Sequence, residues 1–344
     1  MTERHALLIG TLPGETADEA MRSAVGRVGP HLRFLPDGET GERRSWIVGL
    51  IMSLENHPDL EISKDGDFSD YRHQRNYRVR KGHQLTSDNL DLGYASWYRT
   101  NREIFDKLVA DTPELDGVSF QVGIPSDLDL AMFALGPMGG LRNRKVFQEA
   151  TIRDITAIRD ESGDDVLFQI EVPVETMLVA LAGPFGRFVA PRVAASIGRT
   201  VARAPEGTRF GVHLCMGDLG HKALTRLRSL KPFVTLANTL SQSWPAGRPL
   251  EYVHMPLAAG EEPATLEESF YRPLAGLRLP ADVHFVAGFL HEQRGIDEQR
   301  RILAAIETAV GHPVDVAAAC GLGRRSPEAA FATMDQAKAL CEAN

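Results

Sequence analysis

The chain has 344 residues, 43% hydrophobic and 24% charged, the proportions of an ordinary globular protein, which exclude a disordered chain, a collagen and a coiled coil. Lysine and arginine number 38 against 46 aspartates and glutamates, a formal charge of −8, so neither nucleic acid nor an anionic membrane is an expected partner. Only three cysteines occur, Cys215, Cys320 and Cys341, which argues against a disulfide framework and for a reducing compartment.

The first five residues run straight into a short apolar segment with no signal-peptide core. The most apolar stretch, residues 177–197, is broken by Gly183-Pro184 and carries Arg187 and Arg192, which does not suit a bilayer span. A cytoplasmic protein is the expectation.

Along the chain, short apolar runs at residues 6–10, 32–36, 118–123, 166–172, 210–215, 250–255, 283–288 and 314–319 have the length of buried parallel strands. Helical spacing fills several gaps between them, most clearly at residues 145–160, 297–310 and 326–342. Eight strands alternating with helices predict an α/β chain, a single (β/α)8 TIM barrel over residues 1–344, with an open doubly wound sheet as the alternative. Two gaps are long. Residues 45–116 form an insertion after the second strand, rich in aromatics (Phe68, Tyr71, Tyr77, Tyr94, Trp97, Tyr98) and in basic residues (Arg72, His73, Arg75, Arg78, Arg80, Lys81, His83). Insertions of this length act as lids or as solvated excursions. The second insertion, residues 175–205, has room for one or two further helices.

Gly211-Val212-His213-Leu214-Cys215 closes the fifth strand. Residues i and i+2 of a strand point to the same side, so His213 and Cys215 project together. Cys320 ends the eighth strand, and the strand ends of a barrel converge on one mouth. Imidazole and thiolate are the ligands zinc prefers. Buried free cysteines also serve simply as small hydrophobes, so the spacing leaves both readings open.

These segments resemble the catalytic domain of cobalamin-independent methionine synthase. His213-Leu214-Cys215-Met216-Gly217-Asp218 is similar to that family's His-x-Cys strand, and Cys320-Gly321-Leu322-Gly323-Arg324-Arg325 to its late Cys-Gly-Leu-Lys-Thr-Arg run. Ile9-Gly10-Thr11-Leu12-Pro13 resembles the family's Ile-Gly-Ser-Phe-Pro, Asp37-Gly38-Glu39 its His-Gly-Glu, Gly123-Ile124-Pro125 its Gly-Pro-Val-Thr, and Gln169-Ile170-Glu171-Val172-Pro173 its Gln-Ile-Asp-Glu-Pro. The matches fall in order from about residue 6 to residue 343.

The resemblance implies a barrel of the methionine synthase and uroporphyrinogen decarboxylase superfamily. It implies Zn2+ held by His213, Cys215 and Cys320, with His254 as the nearest substitute for the family's missing glutamate. It implies Glu39 and Glu171 on the amino group of a homocysteine-like thiol, Asp37 as a weaker candidate, and the backbone of Ile9, Gly10 and Thr11 near the substrate carboxylate. His291 stands where a proton-transferring histidine is expected. The implied activity is alkyl or methyl transfer to a thiol. The donor is left open (folate, methylcobalamin or another), because the chain has room for one barrel only and the tryptophan expected after the third strand is replaced by Asp129-Leu130-Ala131-Met132-Phe133. A lyase or decarboxylase on the same barrel, and a non-catalytic binding protein with a degenerate site, are the alternatives.

Overall fold

The computed structural model describes residues 3–45, 47–224 and 226–343. In chain order the regular elements are β1 (Ala6–Leu7), α1 (Ala17–Val28), β2 (Phe34–Pro36), α2 (Ile47–Ser53), β3 (Leu60–Lys64), β4 (Asn76–Val79), α3 (Tyr94–Asp111), β5 (Ser119–Pro125), α4 (Asp127–Ser162) and β6 (Val166–Glu171). There follow α5 (Pro173–Leu181), α6 (Gly186–Val201), β7 (Arg209–His213), α7 (Lys231–Gln242), β8 (Leu250–Pro256), β9 (His284–Leu290), α8 (Ile296–Val310), β10 (Asp315–Ala318) and α9 (Pro327–Glu342).

Eight strands form one parallel sheet in the order β1-β10-β9-β8-β7-β6-β5-β2. The seam between β1 and β2 is closed by two parallel bridges, Ala6 to Leu32 and Thr11 to Gly38. The sheet is therefore a (β/α)8 barrel, and each predicted apolar run overlaps one of its strands. Every residue of β5, β6 and β9 but one is buried, as strands covered on both faces must be. Leu7, Ile9, Phe34, Leu167, Tyr252, Val286 and Ala317 pack as one cluster.

The helices begin where the local chemistry allows. Thr16 accepts from the Glu19 amide to cap α1, and Ser326 accepts from the Ala329 amide to cap α9 ahead of Pro327. Between them α1 and α9 bury Met21, Val28, Met334 and Leu340. α4 starts well before the predicted residue 145 and kinks at Gly136, whose φ is 67° and which precedes Pro137; proline removes a helical donor and disfavours a helical residue before it.

The first insertion holds α2, the antiparallel hairpin β3–β4 and α3. The second holds α5 and α6. Among the described residues no single helix is long and apolar enough to cross a membrane, and the apolar stretch there is two helices bent by 113°.

Candidate metal centre and substrate cavity

His213 is the last residue of β7, Cys215 lies two residues beyond, and Cys320 lies two residues beyond β10. The structure brings the three together: one ligand atom from each lies within 4.8 Å of the others. The two sulfurs are 3.8 Å apart, close to the separation of two thiolates bound at about 2.3 Å to one tetrahedral centre. His213 Nε2 is buried without a hydrogen-bond partner. An orphaned imidazole nitrogen facing two sulfurs is a donor set that suits zinc.

The electrostatics agree. Burial, with Arg324 adding to it, pushes the His213 pKa down to about 3, so the ring keeps its lone pair at neutral pH. Of the two thiols, the hydrogen bond from Cys215 holds Cys320 below its ordinary value, while Cys215, on the other end of that bond and buried, is raised. The Arg324 guanidinium donates to Cys320 Sγ at 3.3 Å and to Asp218 Oδ2 at 2.9 Å. Arg324 belongs to the late cysteine motif, and residue type alone does not disclose this contact.

His254, expected as a further ligand, is not one of the three grouped residues. It lies behind His213, its Nδ1 2.7 Å from His213 Nδ1 and its Nε2 3.0 Å from the Ala318 carbonyl oxygen. Both ring nitrogens are engaged there.

Glu39 and Glu171 meet across the barrel mouth. Ideal Cβ atoms at Gly10 and Gly123 would stand 2.8 and 2.6 Å from Glu39 Oε1, so glycine at both positions is what leaves room for the carboxylate. Glu39 has a φ of 45°, a left-handed conformation uncommon outside glycine and found at functional sites. Asp37 holds that turn: it accepts from the Glu39 amide at 2.9 Å, from Arg43 at 2.5 Å and from Asn101 at 2.6 Å. Those bonds make Asp37 an anchor for Glu39. Gln169 Nε2 donates to Glu171 Oε1 at 2.9 Å. Burial raises both pKa values, Glu171 to about 8, and each acid is raised further by a negative neighbour, Glu171 for Glu39 and Cys320 for Glu171. Two buried carboxyls this close favour a cation between them.

One cavity links the two halves. Cys215, Cys320 and Arg324 line one side, Glu39 and Glu171 the other, with Ile9 and Thr11 between. Gly10 does not line it and instead packs under Glu39. The first insertion covers it with Ile47, Val48, Phe68 and Tyr71, and α4 adds Phe133 from the stretch that replaces the expected tryptophan. The Tyr71 hydroxyl accepts from the Leu219 amide at 2.9 Å and donates to the Lys222 carbonyl at 3.1 Å, which pins the insertion to the loop after β7. Phe68 and Tyr71 were visible only as aromatics in a long gap.

His291, expected as an acid–base group, lies in the loop after β9. It is fully buried, its Nε2 donates to the Gly260 carbonyl at 3.0 Å, and its Nδ1 accepts from the Gln293 amide at 3.2 Å. Its ring stacks on His221 at 6.0 Å. With both nitrogens held by backbone it does not face the cavity. His284 starts β9 at the opposite end of the barrel, beside Asp315.

Neither a protein-family model nor a curated protein sequence matches the chain. Solved structures do. A protein from Listeria monocytogenes, provisionally described as a vitamin-B12-independent methionine synthase, matches with a TM-score of 0.52 and 13% identity, over 99% of this chain and 98% of its own. A methyltransferase from Methanosarcina mazei matches with a TM-score of 0.52 and 13% identity, over 99% of this chain and 94% of its own. The chain shares the barrel fold of these proteins across nearly its whole length.

Proposed function

We propose that this protein is a zinc-dependent alkyltransferase, in the first instance a methyltransferase, that acts on a small thiol carrying an amino group, such as homocysteine. The observation that carries the reading is that both cysteines of the His213/Cys215/Cys320 cluster and the Glu39/Glu171 pair line one cavity. A metal-binding end and an ammonium-binding end on a single cavity match the two ends of a thiol amino acid.

His213, Cys215 and Cys320 would hold the ion. Zinc held there would supply the positive charge that lowers the pKa of a nearby thiol, whose proton would pass to solvent. Glu39 and Glu171 accept hydrogen bonds from the substrate ammonium, and its charge offsets the cost of ionising both buried acids. Gly10, Gly123 and Gln169 keep those acids in place. Phe68, Tyr71, Ile47 and Val48 cover the cavity and keep water from the nucleophile. The sulfur lone pair forms the new bond to the alkyl carbon as the bond from that carbon to the donor breaks, the bonding pair leaving with the donor.

Calorimetric titration with L-homocysteine tests the reading. Zinc-loaded protein is expected to bind it, and protein stripped of metal to bind it at least about 10-fold more weakly, a difference of roughly 1.4 kcal/mol. Equal binding with and without zinc would remove the thiol from the metal and the reading with it.

A further inference from the structure

The residue behind the cluster has a defined task. We infer that His254 is a positioning residue: it passes the polarity of one backbone carbonyl, that of Ala318, to His213, and so keeps His213 Nε2 free of a proton and available to a metal. This rests on the metal-binding reading of His213, Cys215 and Cys320.

His213 and His254 are register partners on the adjacent strands β7 and β8, and both are fully buried. Among the described residues neither ring hydrogen-bonds to an acid, and a buried charge without a partner is costly, so each ring carries one N–H. A carbonyl oxygen can only accept, and the Ala318 oxygen lies 3.0 Å from His254 Nε2. The proton of His254 is therefore on Nε2, and its Nδ1 is a bare lone pair. His213 Nδ1 stands 2.7 Å from that lone pair, so the hydrogen between them belongs to His213. With its one proton on Nδ1, His213 has a bare Nε2, and that is the atom left buried without a partner, on a ring grouped with the two cysteines.

The opposite arrangement would set a bare His254 Nε2 against the carbonyl oxygen and lose that hydrogen bond. Both rings are fully buried, and an unmade buried hydrogen bond is costly. The space for the relay is also specific. A Cβ at Gly288 of β9 would collide with the imidazole of His254 at Nε2, so a side chain at 288 would push the ring off the carbonyl. Ligating histidines are commonly oriented by an acceptor on their second nitrogen; here the acceptor is another histidine, itself fixed by the main chain of β10.

Nitrogen-15 NMR of metal-free, wild-type protein reads the tautomers directly. His213 is expected to show a protonated Nδ1 and a bare Nε2, and His254 the reverse; a protonated Nε2 on His213 overturns the inference. Zinc affinity then reads the consequence. His254→Phe keeps the ring volume and removes the acceptor, and is expected to weaken zinc binding by about 10- to 100-fold, the usual effect of losing an outer-shell partner. His254→Asn can set its amide oxygen near the lost Nδ1 and is expected to recover most of that loss. Unchanged affinity in His254→Phe, or equal losses in both variants, would show that the ring only fills space. If wild type takes up no zinc, the metal reading fails at that first step, and the inference falls with it even where the tautomers are as stated.

Discussion

Gly211 of β7 lies directly against the ring of Tyr252 on β8, so closely that a Cβ at 211 would collide with it. The contact supports a ladder that climbs to the barrel mouth. The Tyr252 hydroxyl donates to Gln169 Oε1 at 2.9 Å, and Gln169 Nε2 donates in turn to Glu171 Oε1 at 2.9 Å. Packing deep in the barrel thereby sets the position of an acid in the cavity. Gly211→Ala forces the ring aside in a close-packed interior and is expected to cost about 1–3 kcal/mol. Urea denaturation measures this, and an unchanged midpoint would mean that the ring moves freely and the ladder is not rigid.

The metal cluster predicts a pattern among the cysteines. Wild-type protein is expected to carry about one zinc per chain, and His213→Ala, Cys215→Ser and Cys320→Ser each to lower occupancy strongly. Cys341→Ser is expected to leave it unchanged, because Cys341 is buried in α9 and is not part of the cluster. Metal analysis after equilibration with limiting zinc distinguishes the cases. A loss in Cys341→Ser as large as in Cys320→Ser would point to unfolding as the common cause.

Tyr71 tethers the insertion through two hydrogen bonds to the loop after β7. Tyr71→Phe keeps the ring in the cavity wall and removes both bonds, each contributing about 0.5–1.5 kcal/mol. Limited proteolysis is expected to cut the β3–β4 connection several-fold faster in the variant, with little change in the global unfolding midpoint. Equal cleavage rates would mean that the apolar contacts of Phe68 and Tyr71 hold the cover without the hydroxyl.

The barrel strands were legible because parallel strands covered on both faces leave continuous apolar runs. Strand alternation likewise placed His213 beside Cys215, and barrel geometry brought Cys320 to the same mouth. The roles of His254 and His291 were not legible. Each is set by a carbonyl far away in the chain, Ala318 in one case and Gly260 in the other, and residue type does not disclose which nitrogen meets which oxygen. The β3–β4 hairpin was missed although Leu60-Glu61-Ile62-Ser63 and Asn76-Tyr77-Arg78-Val79 alternate, because the surrounding charges dominated the segment. Several of those charges are paired, Arg75 with Glu55 and Asp65, Arg78 with Glu61, and His83 with Asp59.

The last prediction joins pH to the ammonium site. The folded state holds the Glu171 proton up to a pKa of about 8, against 4.5 for a free side chain. Between those values the folded protein binds more protons than the unfolded chain, so this group's contribution to stability falls as pH rises through the window. Glu171→Gln removes that dependence. In metal-free, substrate-free protein the stability of the variant relative to wild type is therefore expected to rise from about pH 4.5 to about pH 8 and then level off. Substrate reverses the preference, because an ammonium between Glu39 and Glu171 favours both carboxylates. Each charge-assisted hydrogen bond contributes roughly 1.5–3 kcal/mol, so Glu39→Gln and Glu171→Gln are each expected to weaken L-homocysteine binding by about 10- to 150-fold while zinc content holds. A des-amino thiol of the same length is expected to bind wild type poorly and to be nearly indifferent to either substitution. If the des-amino thiol binds wild type as tightly as homocysteine does, the two acids do not recognise an amino group. The pH-dependent stability difference would then belong to a buried acid pair alone, and the thiol substrate would have to be one without an ammonium.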